Sequence, residues 1–162
     1  MKNLILISTI IFLLISACNQ KVNLEAEKAE VKNVVDQITG VLKTEDMQTL
    51  SQITAHDDDI IIFGTDAEER MVGWKELREL MEKQFEASET REIIVKDQVI
   101  KLHDSGKVAW FSERINWELE AEGDTLKFEG VRITGVLEKR DEGWVYVQLH
   151  YSMPQEGQAL QY

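Results

Sequence analysis

The fold is decided by one stretch near the C-terminus, residues 131–152, which read VRITGVLEKRDEGWVYVQLHYS. Apolar and polar residues alternate on both sides of residues 140–143 (RDEG), a short segment that contains glycine. Alternation with a period of two indicates a strand with one buried face, and a short glycine-containing connection indicates a hairpin. The stretch therefore predicts two antiparallel strands, at about 125–139 and 144–153.

Two more strands precede this hairpin, at about 92–102 and 108–120. Short connections with glycine follow each of them, at 103–107 (HDSGK) and 121–124 (AEGD). Consecutive strands joined by such turns pair with one another. The sequence therefore predicts an antiparallel meander of four strands.

Helical patterns fill the chain before these strands. Apolar residues recur every three or four positions over 24–42, behind a capping residue at Asn23, and again over 74–85. A short helical turn at 47–53 and a buried strand at 60–63 lie between the two patterns. Because helices that precede an antiparallel sheet must cover one of its faces, the pattern predicts an α+β domain.

Four segments carry a family resemblance: 73–77 (GWKEL), 108–111 (VAWF), 132–144 (RITGVLEKRDEGW) and 147–154 (VQLHYSMP). Together they resemble the SnoaL-like branch of the NTF2-like superfamily, over residues 24–154. The resemblance implies a cone in which N-terminal helices pack on a curved antiparallel β-sheet meander. It also implies a pocket on the concave face and a homodimer through the outer face. Because this superfamily includes isomerases, cyclases, dehydratases and binding modules, function must come from the pocket.

The first residues are typical of an export signal. Lys2 is followed by an apolar run at 4–15 that is too short to span a bilayer as a mature helix. Residues 15–18 (ISAC) resemble a bacterial lipobox, in which the cysteine is lipidated and becomes the new N-terminus. An ordinary secretory peptide that ends near a cysteine is the alternative.

We therefore expect Cys18 to anchor an exported protein to a bacterial membrane, in the cell envelope. The expected organisation is a lipoprotein signal peptide at 1–17, a lipidated tether at 18–23, the domain at 24–154 and a C-terminal tail at 155–162. Such a short tether holds the domain close to the membrane.

Composition excludes several kinds of function. The 162 residues include 18 Lys and Arg against 30 Asp and Glu, which gives a net charge of −12. Such a surface repels phosphate backbones, so we expect no nucleic-acid partner. Because Cys18 is the one cysteine, neither an intramolecular disulfide nor a cysteine-based metal cluster can form.

The turn after the 108–120 strand predicts a strand register. A two-residue turn pairs Ala121 with Asp124, which places Glu113 opposite Arg132. In the last hairpin, a three-residue loop with a bulge at Gly143 is expected to pair Arg140 with Trp144. That pairing places Thr134 opposite His150 and Gly135 opposite Leu149.

Period-two alternation then assigns side chains to two faces. The face with the continuous aliphatic block is predicted to be concave, and its candidate ligand-binding residues are Trp110, Ser112, Arg114 and Tyr151. A cation beside a hydroxyl and an indole suits a mainly apolar ligand with one carboxylate or oxyanion. Alternatively, Arg114 pairs with a glutamate at the cavity mouth and Tyr151 packs with its hydroxyl in water.

A polar cluster is predicted on the other face, formed by Glu113, Arg132, Thr134, His150 and Ser152. If the two faces are exchanged, His150 is a candidate base near neutral pH. Otherwise the cluster is a satisfied polar patch in a dimer interface that also contains Trp117, Trp144 and Tyr146.

Two further patterns resemble active-site motifs. Residues 56–59 (HDDD) have the composition of a metal site, but consecutive residues that enter a strand point in alternate directions, so no metal is predicted. The ketosteroid isomerases of the superfamily use a carboxylate base and a tyrosine on the first helix. Here an ungapped match places Phe63 at the base position, and Tyr146 is the first tyrosine in the chain. The residues therefore assign no catalytic group and no cofactor.

The sequence predicts a membrane-anchored, non-catalytic domain that binds a small, mainly apolar ligand, with or without a carboxylate, or a partner protein. An enzyme of the cyclase, dehydratase, isomerase or hydrolase type that uses pocket polar residues is the alternative. A structural dimer that serves an envelope complex is a third.

Overall fold

The computed structural model describes residues 22–155 and 157 of the chain. Within them lie three helices, which precede the four long strands. Helix α1 spans Leu24–Thr44, α2 spans Met47–Ile53 and α3 spans Gly73–Ala87. The expected signal peptide with Cys18, most of the tether and most of the C-terminal tail lie outside the described residues.

Six strands in the described part of the chain form one sheet: β1 (Ile61–Phe63), β2 (Arg70–Val72), β3 (Ser88–Leu102), β4 (Val108–Ala121), β5 (Asp124–Arg140) and β6 (Gly143–Ser152). Their order is β2-β1-β6-β5-β4-β3. The predicted meander of β3 to β6 is confirmed, because each of these strands pairs antiparallel with the next. The short strand β1 pairs in parallel with β6, and β2, which the sequence did not predict, pairs antiparallel with β1. Helices against a curved mixed sheet confirm the predicted α+β cone.

Helix α1 is fixed on the inner face of the sheet, which is the face that the helices cover. The Asn23 side chain caps it as predicted, accepting a hydrogen bond from the Ala26 backbone N–H at 3.2 Å. Glu27 ties the first turns to the sheet, because it pairs with Lys139 and accepts from Trp144 Nε1 at 2.9 Å. The buried stripe of the helix consists of Val31, Val34, Val35, Ile38, Thr39, Val41 and Leu42.

The register of β4 against β5 differs from the prediction by one residue over most of its length. Ala121 pairs with Asp124 as predicted, but a bulge lies between the pairs Ile115↔Val131 and Trp117↔Phe128. Here Glu129 and Gly130 of β5 oppose Asn116 alone. Gly130 has a φ of +68°, and its backbone N–H donates to Asn116 Oδ1 at 3.1 Å.

This bulge reverses the face assignment of the β4 residues. Beyond it, Glu113 pairs with Ile133 instead of Arg132, and Ser112 pairs with Thr134. Because a shift of one residue moves a side chain to the opposite face, Glu113 lies on the inner face. The concave placement of Trp110, Ser112 and Arg114 is therefore wrong: all three are exposed on the outer face.

The last hairpin confirms two predicted pairings and corrects a third. Arg140 pairs with Gly143 and not with Trp144, so the turn has two residues. The expected bulge lies within β6, at Val147. It restores the predicted pairs Thr134↔His150 and Gly135↔Leu149. Trp144 and Tyr146 lie before that bulge, and both are buried on the inner face.

Candidate functional site

A cavity of about 480 Å³ lies between the helices and the inner face of the sheet. Its volume is within the range of roughly 300–1,000 Å³ that is common for ligand pockets. The apolar lining residues include Ile38, Val41 and Leu42 of α1, Leu77, Leu80 and Met81 of α3, and Trp117, Leu119, Phe128 and Leu149 of the sheet. The N-terminal half of α1 packs on the sheet outside the cavity, so the C-terminal half of that helix forms part of its roof.

Two tyrosines bring hydroxyl groups to this apolar lining. Tyr151 and Tyr146 both line the cavity from β6. Burial raises the pKa of both hydroxyls well above the ordinary value of 10.0, while a hydrogen bond with Thr54 opposes the rise for Tyr146. Both side chains therefore stay protonated and neutral, and a protonated hydroxyl is a hydrogen-bond donor.

Charged and polar residues line the opening of the cavity. The lining residues Thr65, Asp66 and Lys83 are exposed to solvent, and Glu69 is half-buried beside them. Glu69 Oε2 accepts a hydrogen bond from the Asp66 backbone N–H at 3.1 Å, which holds its carboxylate across the loop. Among the described lining residues, two carboxylates therefore accompany one cation, and all three lie at the opening.

Of the four candidate ligand-binding residues, Tyr151 lines the cavity. Trp110 is 46% exposed on the outer face, as are Ser112 and Arg114 nearby. The Arg114 guanidinium pairs with Asp97 on β3, with Nε 2.8 Å from Oδ2. Arg114 therefore does not supply the cation that the expected carboxylate-bearing ligand requires, and the bulge at Gly130 is the physical reason.

The second predicted cluster is divided between the two faces. Thr134 and His150 pair on the outer face, where His150 meets Phe63 edge-on at 5.7 Å between ring centroids. Arg132 lies opposite Arg114 and Ser152 on the same face. Because Glu113 lies on the inner face, it cannot orient His150, so the alternative in which His150 acts as a base lacks this carboxylate partner. Trp117, Trp144 and Tyr146 are likewise inner-face residues and not part of an outer aromatic patch.

Glu113 is a polar residue of the inner face that the predicted register places on the outer face. Its side chain is 3% exposed and its Oε2 accepts a hydrogen bond from Gln98 Nε2 at 2.9 Å. The same Gln98 nitrogen donates to Asp36 Oδ1 of α1 at 3.0 Å. Burial raises the Glu113 pKa above its ordinary value of 4.5. Its other oxygen, Oε1, makes no hydrogen bond with the described residues.

Two cavity residues were also missed, and a sequence signal existed for both. Trp117 and Phe128 face each other at 6.0 Å between ring centroids, and Trp117 Nε1 donates to Thr90 Oγ1 at 3.0 Å. They form the pair next to the Gly130 bulge. A glycine within a strand pattern is a known signal for a bulge, and a bulge at Gly130 moves both rings to the inner face.

The first two side chains of residues 56–59 contact different neighbouring residues and therefore do not converge. The His56 ring stacks on Trp74 with centroids 4.5 Å apart, and its Nε2 lies 3.1 Å from the Ser51 carbonyl oxygen. Asp57 pairs with Arg140 at 2.7 Å. No group of three or more potential ligands in the described part of the chain is placed to hold a metal ion.

The sequence of the chain matches a family model over most of the domain. The model describes the SnoaL-like domain and matches residues 31–156. The chain belongs to the SnoaL-like family. No curated protein matches it. Within residues 22–155 and 157 of this chain, no helix has both the length and the apolar character that crossing a membrane requires.

Solved structures with the same fold come from several bacteria. An NTF2-like superfamily protein from Salmonella enterica serovar Typhimurium is 18% identical, with a TM-score of 0.67 over 85% of this chain and 99% of its own. A ketosteroid isomerase-like protein from Erwinia carotovora atroseptica is 15% identical, with a TM-score of 0.68 over 80% and 97%. An NTF2-like protein from Cytophaga hutchinsonii is 14% identical, with a TM-score of 0.61 over 76% and 95%. At these identities the likeness establishes the fold alone.

Proposed function

We propose that this SnoaL-like protein binds one small, mainly apolar, neutral molecule in the cavity, without catalysis, while a lipid on Cys18 holds it at a bacterial membrane. The observation that carries the ligand proposal is the apolar cavity of about 480 Å³ with a tyrosine hydroxyl from β6. The anchor rests on residues 15–18 (ISAC), which resemble a lipobox.

The distribution of charge favours a neutral ligand. The described lining residues that carry charge, Asp66, Glu69 and Lys83, stand at the opening, and the rest of the lining is apolar apart from the two tyrosines, Thr65, Gln84 and Ser88. A carboxylate buried among apolar side chains without a cation loses several kcal/mol of hydration. A carbonyl or ether oxygen loses less and can accept a hydrogen bond from Tyr151. These residues therefore favour a ligand with one neutral acceptor over the carboxylic acid expected from the sequence.

A pair of isosteric probes tests this proposal. The probes are 1-adamantyl methyl ketone and 1-adamantanecarboxylate, which share a bulky apolar body and differ in the charge of the polar group. We expect the ketone to raise the melting temperature of the full chain and the carboxylate to have little effect. Tyr151→Phe should weaken ketone binding by about fivefold, the effect of losing about 1 kcal/mol of hydrogen bonding.

Two tryptophans form a matched pair of variants for the same experiment. Trp117 lines the cavity, whereas Trp110 lies on the outer face. Trp117→Phe should remove the change in indole emission that the ketone causes, and Trp110→Phe should preserve it. A response that depends on Trp110, or stabilisation by the carboxylate instead of the ketone, contradicts the proposal.

An enzyme of the SnoaL-like kind is the second candidate, and one observation favours it. The cavity that holds the Tyr151 hydroxyl also has the carboxylates of Asp66 and Glu69 at its opening, so a proton donor and two potential bases face one space. Proton NMR of the ketone in D₂O separates the two candidates. Protein-dependent loss of the methyl signal by deuterium exchange would show proton abstraction, and an unchanged signal in a bound ketone supports simple binding.

A further inference from the structure

Strand β3 has a bulge directly opposite Glu113. Between the pairs Lys96↔Arg114 and Val99↔Ser112, β3 places two residues against the one residue of β4. The first of these two, Asp97, has a φ of +52°, a left-handed conformation that is uncommon for a residue other than glycine. Its ion pair with Arg114 on the outer face holds this conformation. Bulges of this kind redirect a side chain.

The redirected side chain is Gln98, which turns inward and joins two carboxylates. Its Nε2 donates to Glu113 Oε2 at 2.9 Å and to Asp36 Oδ1 at 3.0 Å. Asp36 lies on α1 and pairs with Lys32 through its other oxygen, at 2.5 Å. One amide nitrogen therefore connects the sheet to the helix that roofs the cavity.

Burial disfavours the ionised form of Glu113, and the two charged groups nearby act on it in opposite directions. Burial and the negative charge of Asp36 raise its pKa, whereas Gln98 and Lys32 lower it. From β6, Tyr151 lies in the same row across the sheet, with Ile133 of β5 between them. Tyr151 is neutral, so it does not compensate the charge of Glu113. Proton uptake removes the repulsion from Asp36 and converts Oε1 or Oε2 into a hydrogen-bond donor.

We propose that Glu113 is a proton-operated latch between α1 and the sheet, and that its protonation tightens the cavity around the ligand. With Glu113 ionised, its negative charge and that of Asp36, which Lys32 offsets in part, share one amide and push α1 away from β4. With Glu113 protonated, α1 closes onto the sheet. The movement reaches the ligand because Ile38, Val41 and Leu42, on the turns after Asp36, line the cavity. This last step rests on the proposed ligand-binding function, whereas the latch itself does not.

The sign of the pH dependence follows from the raised pKa. Where the folded state holds a proton that the unfolded state has lost, the free energy of unfolding falls as pH rises. This pH range begins at the ordinary glutamate pKa of 4.5 and ends at the raised pKa of Glu113 in the folded protein. The full chain should therefore be more stable at pH 5 than at pH 8, and Glu113→Gln should remove this slope.

Urea unfolding of the full chain between pH 5 and pH 8 is the first test, with Glu129→Gln as the matched control. Glu129 is exposed on the neighbouring strand β5, so its variant should keep the wild-type slope. Asp36→Asn should reduce the slope, because it removes the like charge that faces Glu113. If Glu113→Gln or Asp36→Asn keeps the full slope, the latch is refuted. Should Glu113→Gln fail to fold, Asp36→Asn still decides the question.

Hydrogen exchange in α1 is the second test, and it separates the latch from a merely structural glutamate. After correction for intrinsic rates, amides around residues 34–38 should exchange faster at pH 8 than at pH 5.5, because proton loss from Glu113 weakens the contact of α1 with the sheet. The difference should vanish in Glu113→Gln. Equal protection at both pH values in the wild type refutes the latch.

Binding of 1-adamantyl methyl ketone at pH 5.5 and pH 8 is the third test. Tighter binding at pH 5.5 in the wild type, with no pH effect in Glu113→Gln, supports coupling of the latch to the cavity. Equal binding at both pH values refutes that coupling. If the ketone binds at neither pH while the exchange difference persists, the proposed ligand function fails and the latch stands.

Discussion

Gly135 of β5 packs against Leu149, which lines the cavity, and adding a single methyl group there tests the packing behind the site. A Cβ at this position would lie 2.6 Å from Leu149 Cδ2, 2.6 Å from Phe111 Cε1 and 2.8 Å from the Gln148 carbonyl oxygen. Real Cβ atoms do not approach other heavy atoms so closely. Two of these neighbours are side chains, but the third is the backbone of the adjacent strand, which cannot rotate away.

The size of the effect follows from two opposing contributions. Overpacking of a close-packed interior costs about 1–3 kcal/mol. Replacing glycine by alanine in a strand stabilises the folded state by roughly 0.5–1 kcal/mol, because the unfolded chain loses conformational freedom. We therefore expect Gly135→Ala to lower the free energy of unfolding by about 1–2 kcal/mol. At roughly 3–5 °C per kcal/mol for a domain of this size, the melting temperature should fall by roughly 3–10 °C.

Urea unfolding followed by circular dichroism measures this change, and Gly40→Ala is the control. Gly40 lies in α1 with no atom within 4 Å of its ideal Cβ, so alanine there should stabilise the helix by up to about 1 kcal/mol. Leu149→Val shortens the side chain that clashes, so in the double variant it should recover more than about 0.5 kcal/mol. A Gly135→Ala protein as stable as the wild type would refute the packing argument.

Three further changes test the anchor, the outer face and the bulge. Cys18→Ser should release the protein from membranes or block its processing; acyl labelling and cleavage equal to the wild type would contradict lipidation. Outer-face residues Phe63 and Val99 are 39% and 49% exposed, so we expect a dimer through this face and a lower sedimentation mass for Val99→Glu; a monomeric wild type would remove this expectation. Gly130→Ala should cost about 1–2 kcal/mol, because φ at Gly130 is +68°; an unchanged urea midpoint would show that the bulge tolerates a side chain.

The turn at 122–123 and the long elements were predictable because their determinants are local. A two-residue turn at 122–123 leaves one pairing for its flanks, and Ala121 does pair with Asp124. The Asn23 cap and the apolar stripe of α1 follow from spacing alone. Such features depend on residues a few positions apart, so one sequence is sufficient to find them.

The two short strands depend on distant partners and were harder to predict. Strand β2 has three residues and its pairing partner is β1, which in turn pairs in parallel with β6, a strand far from it along the chain. A strand of three residues is too short to show a recognisable alternation of apolar and polar side chains. The sequence predicts a buried strand at 60–63, of which Ile60 and Ile62 are buried and Phe63 is exposed, but it contains no local signal for the parallel partner.

Assignment of the faces depended on bulges, and bulges are where sequence alternation misleads. The β4–β5 pairing was derived as a regular ladder from the turn, and one extra residue at Gly130 changed every pair beyond it. In the last hairpin the bulge was expected at Gly143 and lies at Val147, yet the count of residues was correct and Thr134 still meets His150. The predicted pairing thus remains correct beyond a bulge that was expected at the wrong position, but it is wrong beyond a bulge that was not expected at all.

That one extra residue also sets the electrostatics of the site. In a regular ladder Arg114 would face the helices and Glu113 would face solvent, and the inner face would favour an anion. The bulge at Gly130 exchanges them, so the guanidinium pairs with Asp97 outside and a carboxylate is buried inside. Burying a carboxylate without an adjacent cation opposes folding at neutral pH and makes the domain sensitive to protons. The proposed neutral ligand and the proposed latch thus both depend on the same extra residue in β5.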